Sequence, residues 1–148
     1  MSIHEGERLM RAAWYERKGA AREVLQVGEM PIPAPGRGEV RVRVAVSGIN
    51  PSDTKGRGTW RGQTEMPYPR IIPHQDGSGV IDAVGADIGA SRVGERVWIY
   101  EAQRGRAFGT AAEYVIVPGG NAVRLPESVR FIDAACLGVP AMTVLRWV

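Results

Sequence analysis

The sequence predicts a mainly β chain: a small, partly open β-barrel with short C-terminal helices. Three observations carry this. Seven or so short apolar runs are separated by glycine and proline turns. One of them, Glu39 to Ser47 (E-V-R-V-R-V-A-V-S), sets Val40, Val42, Val44 and Val46 against Arg41, Arg43 and Ala45, the period-two alternation of a half-buried strand. Finally, the pattern changes at Phe131, where F-I-D-A-A-C-L-G-V-P-A-M-T reads as a short helix, a break at Gly138 and a second helix with Pro140 in its first turn.

In chain order, residues 1–8 (M-S-I-H-E-G-E-R) read as an extension before the fold, lacking the basic-then-apolar order of a secretion signal. Leu9 to Tyr15 is a first strand, and Glu16 to Ala21 a polar turn around Gly19. Val24 to Met30 is a second strand, stopped by Pro31, Pro33 and Pro35, which make an extended connector. After the alternating strand, Pro51 or Ser52 opens a helical turn that Gly56 and Gly58 end. Thr59 to Pro69 is polar and aromatic without periodicity, a surface loop near a site. Strands follow at Val80 to Val84, Arg96 to Tyr100, Ala111 to Val117 and Ala122 to Leu125, with a glycine- and arginine-rich excursion over Gln103 to Gly109. The expected division is 1–8, a β domain over 9–130, and a helical connection over 131–148.

The 148 residues suffice for one domain with a useful core. The net charge of +3 comes mostly from arginines dispersed along the chain, without stacking aromatics, which argues against nucleic-acid binding. One cysteine, Cys136, precludes an intrachain disulfide and a multi-cysteine metal site. That suits a reducing, cytoplasmic setting, and the A-A-C-L context reads as a buried small hydrophobe. No stretch approaches the roughly 20 apolar residues of a membrane span.

The densest cluster of polar groups lies in Ile71 to Val97. His74, Gln75 and Asp76 follow Pro73, and Gly77 and Gly79 remove side chains where another backbone or a ligand approaches. Gly85 is a natural residue for positive φ after the Val80 to Val84 run. In order and spacing, S-G-I-N-P-S-D, P-H-Q-D-G-S-G-V-I-D-A-V-G, G-E-R-V, the Gly109 to Val115 stretch, and A-A-C-L-G-V-P-A-M-T resemble the medium-chain dehydrogenase/reductase superfamily, from about Met10 to Thr143. Its zinc alcohol dehydrogenases carry Gly-His-Glu-x-x-Gly. Anchored on Gly79 and Gly85, the zinc-binding His falls on Gln75, the Glu on Asp76 and the Gly on His74. The first zinc ligand, a Cys, falls on Asn50. The chain therefore resembles the zinc-independent NADPH:quinone reductase (zeta-crystallin-like) branch, and no metal is expected.

The resemblance implies a GroES-like catalytic domain, the N-terminal half of a two-domain subunit whose other half is a Rossmann domain. That half is expected to be absent here: a dinucleotide site needs a glycine-rich turn between strand and helix, and no G-x-G-x-x-G occurs. It also implies that Asn50 faces both nicotinamide and substrate carbonyl, as a neutral donor to charge building on oxygen. The alternative is that Asn50 only caps the turn before Pro51. Thr143 matches a threonine near the nicotinamide, or is a hydroxyl on an ordinary helix. Lys55 stands where many relatives have Tyr, so Trp60 and Tyr68 are candidate pocket walls, or merely packing. Asp76 is a pocket residue or a structural anchor. Asp53 is expected to order its loop through backbone N–H groups.

The expected function is that of the catalytic-domain portion of a reductase passing hydride from NADPH to a quinone or enone, with little activity alone. The residues that would choose NADPH over NADH would lie in the absent half. The alternative is a truncated or split non-enzymatic chain acting as an interaction module. In that case Val144, Leu145, Trp147 and Val148 form an apolar patch favouring self-association or a separate Rossmann-domain chain.

Overall fold

The computed structural model describes residues 8–147; the expected extension, apart from Arg8, and Val148 lie outside the described residues. The seven strands are β1 (Leu9–Trp14), β2 (Gln26–Pro31), β3 (Glu39–Gly48), β4 (Asp76–Val84), β5 (Arg96–Ile99), β6 (Tyr114–Pro118) and β7 (Ala122–Arg124). They form two antiparallel sheets, a β1-β2 pair and a five-stranded sheet in the order β6-β3-β4-β5-β7. Bridges Ala12 to Ala112 and Tyr15 to Ile71 tie the pair to the rest.

The alternation in β3 works as its sequence implies. Val40 and Val42 are fully buried and join Ile81, Val97, Ile99, Val115 and Val117 in the principal core. On the other face Arg41 crosses to β4 and grips Asp82 with two hydrogen bonds, 2.8 and 3.0 Å. A second cluster, of Met10, Ala12, Met30 and Ile72, packs the β1-β2 pair against the loops that follow.

Several elements differ from the sequence reading. The second strand starts at Gln26, because Ala21–Val24 forms a helical turn, α1, that buries Val24 against Tyr15 and Ile71. Strand β4 starts at Asp76, four residues before the apolar run. Its glycines are strand residues in close contact: a Cβ on Gly79 would collide with the Arg43 carbonyl, and one on Gly77 would stand 3.0 Å from the Val46 carbonyl. Gly85 is not in the positive-φ region. Glycine is required there because a Cβ would overlap the Gly36 carbonyl.

The first-turn proline of α2 (Pro51–Arg57) is as expected, although Gly56 lies within the helix and Gly58 alone terminates it. At the C-terminus, α3 (Phe131–Ala134) is followed by a π-type turn, Leu137–Ala141, that runs through Gly138 and Pro140 into α4 (Met142–Leu145). Gly138 therefore does not break the chain, and its lack of a side chain serves packing. Cys136 is exposed rather than buried, since α3 turns Ala134 and Ala135 inward. No helix among the described residues is long and apolar enough to cross a membrane.

Candidate active site

The chain leaves β3 at Gly48 and enters α2 through Asn50, which has extended backbone angles and occupies the helix N-cap position. The Asp53 carboxylate accepts the Asn50 backbone N–H at 2.7 Å, ordering the loop as expected of an acid at the third helical position. Across the sheet, Gly48 pairs with Asp76, which brings the start of β4 beside this loop. The Asn50 side chain then donates from Nδ2 to Asp76 Oδ2 at 2.8 Å. Both residues are buried, 6% and 1% exposed.

Asp76 has a second donor. The backbone N–H of Val139, in the π-type turn, lies 3.0 Å from each carboxylate oxygen. Gly138 makes this approach possible, because a Cβ there would overlap Asp76 Oδ1. Burial pushes the Asp76 carboxyl above its ordinary value, while the bonds from Asn50 and Val139 pull it back. One carboxylate thus joins the β3-α2 loop, strand β4 and the C-terminal segment.

A chain of hydroxyls runs along the other side of this strand end. Thr110 donates from Oγ1 to the Asp76 carbonyl at 2.5 Å, Ser47 Oγ lies 2.8 Å from Thr110 Oγ1, and His74 Nδ1 lies 2.9 Å from Ser47 Oγ. Each hydroxyl has one proton. That of Thr110 is committed to the carbonyl, so Ser47 donates to Thr110 and His74 Nδ1–H donates to Ser47. His74 has φ of 83° and a lowered pKa, caused by burial and opposed by the nearby Asp76 charge. Gln75 turns to a different loop, accepting the Gln103 N–H at 2.9 Å. Among the described residues, no three His, Cys, Asp or Glu side chains converge as a metal site would require.

A cleft of about 740 Å³ runs along α2 and the Thr59 to Pro69 loop. Tyr15, Ser52, Asp53, Met66, Tyr68 and Gln75 line it. Neither Asn50 nor Asp76 lines it, but Asp53, which accepts the Asn50 N–H, and Gln75, the chain neighbour of Asp76, do. Tyr68 faces the cleft, whereas Trp60 is an exposed ring with Lys55 Nζ 4.6 Å from its centre. Thr143 stands apart: its hydroxyl donates to the Val139 carbonyl at 2.6 Å, and it borders a small pocket with Tyr100 and Glu101. The geometry therefore joins Asn50 to Asp76 and links Asn50 to the Tyr68 cleft through Asp53, while Trp60 and Thr143 do not line that cleft. Ser47, Thr110 and the Val139 N–H are not among the site residues the sequence points to. A hydroxyl two residues before Ile49-Asn50 gives Ser47 a faint signal, while a backbone N–H gives none.

Comparison with known proteins agrees with this architecture. The family model described as alcohol dehydrogenase GroES-like domain matches residues 36–127. A quinone oxidoreductase of Lama guanicoe is 32% identical over 142 residues, covering 95% of this chain and 41% of its own. The solved quinone oxidoreductase of Pseudomonas syringae pv. Tomato DC3000 superposes with a TM-score of 0.81 at 30% identity, covering 93% of this chain and 40% of that one. A mycobacterial protein solved in complex with NADPH gives a TM-score of 0.68 at 27% identity, covering 85% of this chain and 35% of that one. The chain thus spans well under half the length of these relatives. It belongs to the alcohol dehydrogenase GroES-like domain family, and the quinone oxidoreductases are among the proteins it is similar to.

Proposed function

We propose that the chain is the substrate-side domain of an NADPH-dependent quinone reductase, in which hydride passes from the nicotinamide to a quinone or enone held in the Tyr68 cleft. The observation that carries this reading is the buried Asn50–Asp76 bond, tied to that cleft through Asp53, which accepts the Asn50 N–H. An amide nitrogen has two N–H groups. With one fixed on Asp76, the other is pre-aimed and can meet oxygen charge that grows as hydride arrives, without reorganisation during the reaction. Asp76 is then a positioning residue, Tyr68 a cleft wall and Trp60 an outer wall.

The residues present fit only the nicotinamide end of the cofactor. A dinucleotide's pyrophosphate is held at a parallel strand-turn-helix unit, and the pairings among β1 to β7 are all antiparallel, the one parallel contact among the described residues being the isolated bridge Ile72 to Phe108. When bound, the cofactor supplies the hydride; Asn50 and, at the edge, Thr143 would border its ring. The chain alone is accordingly proposed to turn over little or no NADPH. The test is to fuse it to the part of the Pseudomonas relative that this chain does not cover and assay quinone reduction under saturating NADPH. Reduction that falls about 100-fold in Asn50→Ala supports the proposal. A fusion that binds NADPH but reduces no quinone overturns it.

A second reading is favoured by one feature. Val144, Leu145 and Trp147 are 63%, 75% and 87% exposed, an unusual amount of apolar surface on one short segment. We propose that this segment meets another protein surface, either a separate dinucleotide-binding chain or a second copy. Sedimentation of the purified chain distinguishes the two, and a monomer that binds no apolar dye counts against both.

A further inference from the structure

Behind Tyr68 and Arg106 the polar cleft has an apolar neighbour. A second cavity, about 270 Å³, is walled by Met10, Pro33, Phe108, Tyr114 and Ile116. Tyr68 and Arg106 line both cavities and so form the sill between them. The two spaces differ in chemistry. The cleft presents Ser52, Asp53 and Gln75 alongside its apolar groups. The side pocket presents aromatic and aliphatic carbon, and the one charged side chain on its wall is already engaged: Arg106 donates from Nη2 to Glu39 Oε1 at 2.6 Å. Glu39 is itself held by the Gly36 N–H at 2.8 Å, and the interaction with Arg106 lowers its pKa. The guanidinium is thus part of the rim and not a free charge awaiting an anionic ligand. The Tyr114 ring is likewise fixed, with the Arg41 guanidinium 5.5 Å from its centre.

We infer that the side pocket is a tail site, and that the acceptor is a quinone bearing an alkyl or isoprenoid substituent, its ring in the cleft and its tail passing over Tyr68 and Arg106. This rests on the quinone reading above and narrows it. An unsubstituted quinone would use the cleft alone and leave the side pocket's carbon surface in water. A tail buries that surface, and each buried methylene should raise affinity about fourfold until the pocket is full. A charged or strongly hydrated substituent gains nothing there, since the walls have no free charge to meet it.

Met66 and Met10 provide separate reporters, because Met66 lines the cleft and Met10 lines the side pocket. The full chain, labelled with 13C at its methionine methyls, is titrated with 2,3-dimethoxy-5-methyl-1,4-benzoquinones carrying methyl, pentyl or decyl at the remaining ring position. Full ring substitution suppresses addition to the exposed Cys136 thiol. The expected result is that all three shift Met66, only the tailed compounds shift Met10, and the pentyl compound binds at least tenfold more tightly than the methyl one. Ala107→Leu, which adds bulk in the side pocket's wall, should remove the tail's gain and leave the methyl compound's affinity unchanged. Equal affinities across the series with Met66 alone responding would overturn the tail site while leaving the quinone reading intact. If no compound shifts either methyl, the quinone reading fails and the tail site falls with it.

Discussion

Asn50 donates its side-chain N–H to Asp76 at 2.8 Å, joining the N-cap of α2 to the first residue of β4 across 26 residues of sequence. The same carboxylate accepts the Val139 N–H, so three separate segments depend on one buried acid.

Removing that acid should therefore be costly. Asp76→Ala leaves the Asn50 amide and the Val139 N–H without their acceptor, and a buried unsatisfied donor costs about 1–3 kcal/mol. Asp76→Asn should cost less, because its carbonyl oxygen can still accept. Urea denaturation ranks the two variants. Hydrogen exchange at Val139 should accelerate in Asp76→Ala, and unchanged protection there would show that the carboxylate does not hold the C-terminal turn.

The same site predicts a pH dependence with a definite sign. Burial raises the Asp76 pKa in the folded chain, so the folded state binds this proton more tightly than the unfolded state does. The associated stability is fully present below the ordinary Asp value of 3.8 and is lost as pH rises through the folded pKa. The amide in Asp76→Asn does not titrate. Stability of the variant relative to the parent should thus rise with pH across that window and level off above it. A relative stability that falls with pH would mean that the hydrogen bonds from Asn50 and Val139 outweigh burial.

Two glycines in helical segments should respond oppositely to alanine. In α2, a Cβ on Gly56 meets nothing within 4 Å, so Gly56→Ala should stabilise by about 0.5–1 kcal/mol through lower unfolded-state entropy. In the π-type turn, a Cβ on Gly138 would overlap the Asp76 carboxylate, and Gly138→Ala should destabilise by about 1–3 kcal/mol. Thermal melts of both variants check this. Stabilisation by both would mean that the Asp76–Val139 contact yields without cost.

These glycines also show how far the sequence is legible. The β3 strand is readable because its valines alternate, and α2 because Pro51 and Asp53 sit at its first and third positions. The start of β4 is hidden: Asp76, Gly77, Ser78 and Gly79 have no apolar period, and Gly77 and Gly79 are needed there because neighbouring backbone leaves no room for a side chain. Glycine is visible in sequence, but whether it serves a turn or a close approach is decided by a partner far along the chain, as Gly36 does for Gly85. The site divides similarly. Asn50 and Asp76 are each conspicuous beside glycine and proline, but nothing in the sequence pairs them, and their link to Val139 runs through a backbone N–H that every residue except proline has.

The hydroxyl chain behind Asp76 fixes a tautomer. Thr110 gives its proton to the Asp76 carbonyl and Ser47 gives its own to Thr110, so the ring nitrogen facing Ser47 must carry hydrogen. Neutral His74 should accordingly be protonated at Nδ1 with a bare Nε2, and should titrate below 6.5 because burial disfavours its charged form. Nitrogen-15 NMR of the imidazole separates the two tautomers by the shifts of their protonated and unprotonated nitrogens. In Ser47→Ala the acceptor disappears, and the ring should lose its fixed tautomer and populate both. A dominant Nε2–H form in the parent chain would reverse the direction of the chain. Ser47 would then donate to His74, and the contact between Ser47 and Thr110 would be left without a proton.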